Sequence, residues 1–162
     1  METFLKEVIN FLTIEITVLL TAAMPIIELR GAIPVGISLG MSPLHATIIS
    51  FLGSMIPVPF ILFAIRPIFN AMKKTKLLSP IVDKLSSRSM SKNSHKIQKY
   101  GAWALIPLVA IPLPGTGVWS ASLGAALLDI RFKWAFPAIL VGNLMAAILI
   151  MTLSDTAFRF FV

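Results

Sequence analysis

The sequence predicts an all-α integral membrane protein made of two inverted repeats. Each repeat is expected to contain a re-entrant helical hairpin, which enters and leaves the membrane on one side, and then a transmembrane helix. Of the 162 residues, 57% are hydrophobic and only 13% are charged, with a mean hydropathy of +0.89. A water-soluble domain of this length needs more charged side chains to cover its surface. Residues 1–162 are therefore predicted to form a single membrane domain.

Two apolar segments, residues 43–65 and 134–154, are long enough to be transmembrane helices. At ~1.5 Å per residue, the first would reach ~34 Å, which exceeds the ~30 Å hydrocarbon core of a bilayer. Pro57 and Pro59 predict a kink in its second half, because proline cannot donate a helical hydrogen bond. These segments supply the transmembrane helix of each repeat.

The first interrupted apolar segment, residues 8–40, carries an acid and a base two residues apart between two prolines. Charged groups at membrane depth are costly and usually face a cavity or each other. Irregular backbone is tolerated there only where it lines a cavity or is buried in protein. The segment is therefore predicted to be a re-entrant hairpin with a polar site; the alternative is a solvated loop between two helices. The candidate site residues are Glu28, Arg30, Gly31 and Pro34.

The second interrupted segment, residues 101–128, is broken by two prolines and two glycines. The apolar stretches 102–111 and 118–128 are each too short to cross a bilayer, so a second hairpin is favoured over one bent helix. The candidate site residues of this half are Pro112, Pro114, Gly115, Thr116 and Gly117, with Asn143 from the following helix.

The net charge of +7 is concentrated in the middle of the chain, because eight of the fourteen Lys and Arg lie between Lys73 and Lys99. Leu77, Ile81 and Leu85 share one helical face in this region. Residues 66–100 are therefore predicted to be a cytoplasmic connector containing a basic amphipathic helix, which binds anionic membrane lipids through residues 73–99. The expected location is the plasma membrane, and nucleic acid is not an expected partner.

The two halves, residues 1–65 and 101–162, repeat the same order of elements. Without gaps, residues 30–40 align with residues 114–124 at four identical positions of eleven, and Gly53-Ser54 corresponds to Gly142-Asn143. A cytoplasmic connector makes the two halves inverted, and inverted repeats with broken helices place polar sites near the bilayer midplane. Glu28 is accordingly expected to face the loop at residues 112–117.

Three motifs, at residues 25–34, 57–60 and 111–117, resemble those of the small multidrug export family. The resemblance covers nearly the whole chain. That family is similar to the DedA, or VTT-domain (SNARE-associated), membrane proteins, which have two facing re-entrant hairpins and include lipid-carrier translocases. The DedA-like acid and arginine match Glu28 and Arg30 loosely, while the second hairpin carries Pro114 and Thr116 where DedA proteins carry an arginine. The resemblance implies a transport role.

The residues favour a proton- or ion-coupled transporter that exports a small amphipathic molecule. Glu28 would exchange a proton or bind a cation, and Arg30 would hold it ionised or bind an anionic group. The alternatives are a DedA-like translocase of a lipid carrier (polyprenyl phosphate or phospholipid) and a structural membrane protein. An enzyme is not expected, because the sequence offers no catalytic set and His45 and His95 stand alone.

No cofactor is expected, and the absence of cysteine excludes disulfides and thiol chemistry. Such a small bundle is expected to form a homodimer or larger oligomer, with Gly53, Gly142 and Ala146 at the contacts. Glu15 is expected to lie at the membrane interface.

Overall fold

A computed structural model describes residues 2–73, 94–113 and 115–161, and within these ranges the chain is helical apart from short turns. The helices are α1 (Glu2–Ala23), α2 (Glu28–Ser38), α3 (Pro43–Met55), α4 (Pro57–Lys73), α5 (Ser94–Ala110), α6 (Val118–Leu127) and α7 (Phe132–Phe161). The all-α prediction is confirmed for the described residues.

The helices belong to two compact units. The first contains residues 1–56 and 144–162, and the second contains the described residues of 57–143. These units differ from the predicted repeats, because α7 contributes its first half to one unit and its second half to the other.

In the first unit, α1 and α2 form an antiparallel hairpin that packs against α3. The turn of Met24–Ile27 reverses the chain, so that Val18 of α1 lies beside Gly36 of α2. One face of α2 is buried with α1 and α3, and another is buried against the second half of α7. The first of these clusters contains Val18, Ala22, Ala32, Met41 and Ala46, and the second contains Leu29, Ile33, Ala146 and Ala147.

In the second unit, α6 packs against both α4 and α5. Phe63 of α4 stacks on Phe132 at the start of α7, with 4.7 Å between ring centroids, and Phe132 stacks on Phe136 at 5.2 Å. Offset aromatic pairs at these distances contribute about 1 kcal/mol beyond the apolar area that they bury. They fix the start of α7 against α4.

The turns that follow α2 and α6 have the same geometry. The capping residues Leu39 and Leu128 have φ/ψ angles of −83°/5° and −82°/4°. The N–H of Met41 donates to the carbonyl of Gly36 at 3.0 Å, and the N–H of Ile130 donates to that of Ala125 at 2.9 Å. This is the Schellman arrangement that closes many helix C-termini. The two turns are therefore equivalent at a spacing of 89 residues (130 minus 41).

The spacing of 89 corrects part of the predicted alignment. Residues 38–46 and 127–135 show the same order of exposed, half-buried and buried positions. The alignment of residues 30–40 with 114–124 was five residues out of register, since Ser38–Gly40 ends a helix while Ser122–Gly124 lies inside α6. Serine, leucine and glycine occur in both settings, so their identity does not fix a register. The predicted pairing of Gly53 with Gly142 has the same spacing of 89 residues as the two turns.

Gly53 and Gly142 each allow another helix of the same chain to approach closely. A Cβ atom on Gly53 would collide with the carbonyl oxygen of Leu19, and one on Gly142 would lie 2.7 Å from that of Ile106. Ala146 is likewise buried, in the cluster that contains Leu29. The prediction that these small residues form dimer contacts is wrong, because the helices of their own unit cover them.

The first candidate membrane span has the predicted bounds, and the second is longer than predicted. Two helical segments, Pro43–Ile65 with 23 residues and Phe132–Phe160 with 29, are long and apolar enough to cross a membrane. The first is interrupted at Ile56, where Pro57 and Pro59 provide no N–H groups to continue the helix. This interruption lies where the prolines predicted a kink.

Ordered helix extends into both ends of the predicted connector. The helix α4 continues to Lys73, and α5 begins at Ser94, so that α5 has 17 residues rather than the ten predicted for residues 102–111. The predicted amphipathic helix around Leu77–Leu85 lies outside the described residues, as do most of the lipid-binding residues proposed for 73–99.

Candidate functional site

Glu28 begins α2 directly after the turn that reverses the chain. Its N–H donates to the carbonyl of Met24 at 3.1 Å, and its side chain is buried, with 6% exposure. Its φ of 51° lies in the left-handed region, which side chains other than those of Asn and Asp rarely adopt. A buried carboxylate on strained backbone is a combination that clusters at functional sites.

Arg30 lies two residues farther along α2 and is half-buried. The Glu28 carboxylate acts electrostatically on the Arg30 guanidinium. An opposite charge compensates part of the free energy that burial of either group requires. The first hairpin thus holds an acid and a base together in a largely apolar unit.

Gly31 and Pro34 determine the shape of the helix that carries these charges. A Cβ atom on Gly31 would collide with the side chain of Ile27, so glycine lets the first turn of α2 close. Pro34 lies inside α2 and has no N–H to donate to the carbonyl of Arg30. Both residues lie in the part of α2 that follows Arg30.

The loop between α5 and α6 is closed by the hydroxyl of Thr116. This hydroxyl lies 2.9 Å from the carbonyl oxygen of Ile111 and 2.8 Å from that of Leu113, and it accepts from the Leu113 N–H at 3.2 Å. Gly115 has a φ of 81°, a left-handed value suited to glycine. Thr116 therefore stabilises its own loop, which is the local role that its hydroxyl has in this structure.

Gly117 occupies the position in the second half that Glu28 occupies in the first, 89 residues earlier. Glu28 begins a short helix, and Gly117 directly precedes one. Both residues have a positive φ, 51° at Glu28 and 147° at Gly117. At the same spacing, Trp119 corresponds to Arg30. The two charges of the first half therefore have no charged counterparts at the equivalent positions of the second.

Two polar side chains are buried deep in the second unit. Asn143 is 2% exposed and follows Gly142, where α5 and α7 cross. Ser122 is fully buried, and its hydroxyl donates to the carbonyl of Val118 at 2.5 Å. Asn143 is thus a buried amide beside a close helix crossing.

The predicted site residues are distributed over both units. The first unit holds Glu28, Arg30, Gly31 and Pro34, which lie within one stretch of α2. The second holds Pro112, Gly115, Thr116, Gly117 and Asn143, whereas Pro114 lies outside the described residues. The facing of Glu28 toward the loop of residues 112–117 remains a prediction.

A second polar pair was not predicted as a site. The Nε2 atom of His45 lies 2.7 Å from Oε1 of Glu15, so the expectation that His45 stands alone is wrong. The two residues are thirty positions apart, and they meet because the α1–α2 hairpin returns the chain to the level of Glu15 before α3 begins. An antiparallel register for α1 and α2 was the signal that could have revealed the pair.

Comparison with known proteins identifies one family. A family model described as "Putative small multi-drug export protein" matches residues 28–149, which is more than half of the chain. The comparisons with curated proteins and with solved structures found no match. The matched region begins at Glu28 and includes every predicted site residue.

Proposed function

We propose, because the chain belongs to the small multidrug export family, that it is a multi-pass membrane transporter for a small amphipathic molecule. Two helical segments of suitable length and composition support the membrane location. The observation that carries the proposal is Glu28, a buried carboxylate at a strained helix start beside Arg30. Groups of this kind inside apolar membrane helices mark ion and substrate pathways.

The α1–α2 and α5–α6 pairs are proposed to be re-entrant hairpins. The helix α2 has 11 residues and α6 has 10, which correspond to lengths of about 17 Å and about 15 Å. Each is about half of the ~30 Å hydrocarbon core. Each is followed by a tight turn and a helix long enough to cross. The turns at residues 24–27 and 111–117 would thus lie at about half depth.

The two halves are proposed to have inverted orientations. The shared turn geometry and burial order of residues 38–46 and 127–135 support a common repeated element. A cytoplasmic connector between two single spans gives those elements opposite directions across the membrane. Glu28 and the Thr116 loop would then approach the midplane from opposite sides, where each could satisfy polar groups of the other.

In this arrangement Glu28 is the proton-exchanging residue. Deprotonated Glu28 would be held by Arg30, and protonation would release the guanidinium to bind an anionic substrate group or a hydrogen-bond acceptor. The buried amide of Asn143 is a candidate for neutral hydrogen bonds to substrate. Anionic lipid binding by residues 73–99 and assembly into a homo-oligomer remain part of the proposal.

The test uses purified protein in liposomes that contain a pH-sensitive dye. Ethidium and tetraphenylphosphonium, applied in turn as gradients, should drive proton movement through the wild-type protein. Glu28→Gln should abolish this movement while the unfolding temperature stays within a few degrees of wild type, because glutamine keeps the size and loses the titratable group.

Glu7→Gln is the matched control, since Glu7 is an exposed carboxylate on α1. It should transport as wild type does. If Glu28→Gln retains proton movement, or if its main effect is loss of folding, the carboxylate is a structural group and the proposed coupling role is wrong.

A further inference from the structure

A cavity of about 170 Å³ lies in the first unit, where the α1–α2 hairpin meets the start of α3. It is called the His45 cavity here. Its walls combine one carboxylate, two aromatic rings, a serine and several apolar side chains, a composition different from that of the Glu28 site. The residues used below are Phe11, Ile14, Glu15, Leu39, Met41 and His45.

Glu15 and His45 form the polar side of this cavity. Their side chains lie 2.7 Å apart and remain 23% and 34% exposed, so both are within reach of a ligand. The His45 ring also lies against Phe11, with 5.7 Å between centroids and a tilt of 36°. These two rings and the carboxylate come from α1 and α3, which pack directly on each other.

A purely stabilising role does not account for this arrangement. Partly exposed ion pairs contribute little to stability, typically about 0–1 kcal/mol. The lining also includes the apolar side chains of Ile14, Leu39 and Met41.

We propose that the His45 cavity binds a small organic ammonium ion. The Glu15 carboxylate supplies the negative charge, and the face of Phe11 attracts a cation with apolar substituents. The apolar walls favour an alkylated ammonium over a strongly hydrated inorganic cation, because alkyl groups lose no hydration energy there.

Tetramethylammonium is the probe for a direct binding measurement. Equilibrium dialysis of radiolabelled tetramethylammonium against the full-length protein in detergent micelles should show saturable binding at about pH 8. Glu15→Gln should weaken the affinity about tenfold or more, because the charged partner is lost. Phe11→Leu, which leaves the Glu15–His45 pair intact, should weaken it roughly threefold.

Glu7→Gln is again the matched control, because it removes a carboxylate from α1 outside the cavity, and its affinity should equal that of wild type. The proposal is overturned if wild type shows no saturable binding, if Glu15→Gln binds as wild type does, or if Glu7→Gln loses binding equally. Glu15→Asp changes the same side chain but retains its negative charge. It should bind tetramethylammonium more tightly than Glu15→Gln, and equally weak binding by both variants would indicate a folding defect. This inference does not depend on the proposed transport function, since binding is measured without proton flux.

Discussion

Glu28 combines two features that each oppose folding. Its carboxylate is largely removed from solvent, and its backbone has a left-handed φ of 51°. A non-glycine residue in such a conformation costs about 1–2 kcal/mol. Glycine would adopt a φ of 51° without strain, and Gly117, 89 residues later, has a different positive φ of 147°. The presence of glutamate there indicates that the side chain has a role that outweighs its conformational cost.

The backbone and charge contributions of Glu28 can be separated by two substitutions. Glu28→Gly and Glu28→Ala both remove the carboxylate, but only glycine adopts φ near 50° without strain. We expect the glycine variant to be more stable by about 1 kcal/mol. Thermal unfolding in detergent measures the difference. If the glycine and alanine variants unfold at the same temperature, position 28 does not retain the left-handed conformation in these variants.

The contact between Glu15 and His45 could not be predicted from the local sequence around either residue. Glu28 and Arg30 were predicted as a site because both charges interrupt a local apolar pattern. Glu15 and His45 are each isolated in the sequence, and their meeting depends on where α2 ends relative to α1. That register follows from packing of side chains such as Val18 and Met41, which a sequence pattern does not specify.

At the scale of helices, proline and glycine predicted the positions of the breaks well. The turn at residues 24–27 contains Pro25, the interruption at Ile56 precedes Pro57, and the loop at residues 111–117 is rich in proline and glycine. The alignment of the two halves was less accurate, because short identities of serine, leucine and glycine were matched over a helix end and a helix interior. The pair of Schellman turns provided the register of 89 residues.

The close helix crossings at Gly53 and Gly142 give a prediction at this scale. An added methyl group would meet backbone oxygen atoms of α1 and α5, which cannot move aside as a side chain can. Gly53→Ala and Gly142→Ala should therefore each destabilise the protein by about 1–3 kcal/mol, measured by thermal unfolding.

Gly124 is the matched control for these substitutions, since it lies inside α6 with open space around its Cβ position. Gly124→Ala should be neutral or stabilising by up to about 1 kcal/mol, because alanine favours helix more than glycine does. Stability equal to wild type in Gly53→Ala and Gly142→Ala would contradict the close helix crossings at these two residues.

At the scale of the molecule, the central claim is that two similar hairpins, each with one half-length helix, enter the membrane from opposite faces. Composition and the two long apolar helices predict a membrane protein, and the charge concentrated at residues 73–99 predicts its orientation. The orientation of the halves does not follow from local geometry, because the turns at residues 39–42 and 128–131 are alike whichever side of the membrane they occupy.

Those two turns provide the most direct test of this claim. The chain contains no cysteine, so a single introduced thiol is a unique reporter. Leu39 and Leu128 cap equivalent helices and are similarly exposed, at 44% and 52%. In intact cells, a membrane-impermeant maleimide should label Leu39→Cys, and it should label Leu128→Cys only after the cells are opened. Labelling of both cysteines from the same side would contradict the inverted arrangement.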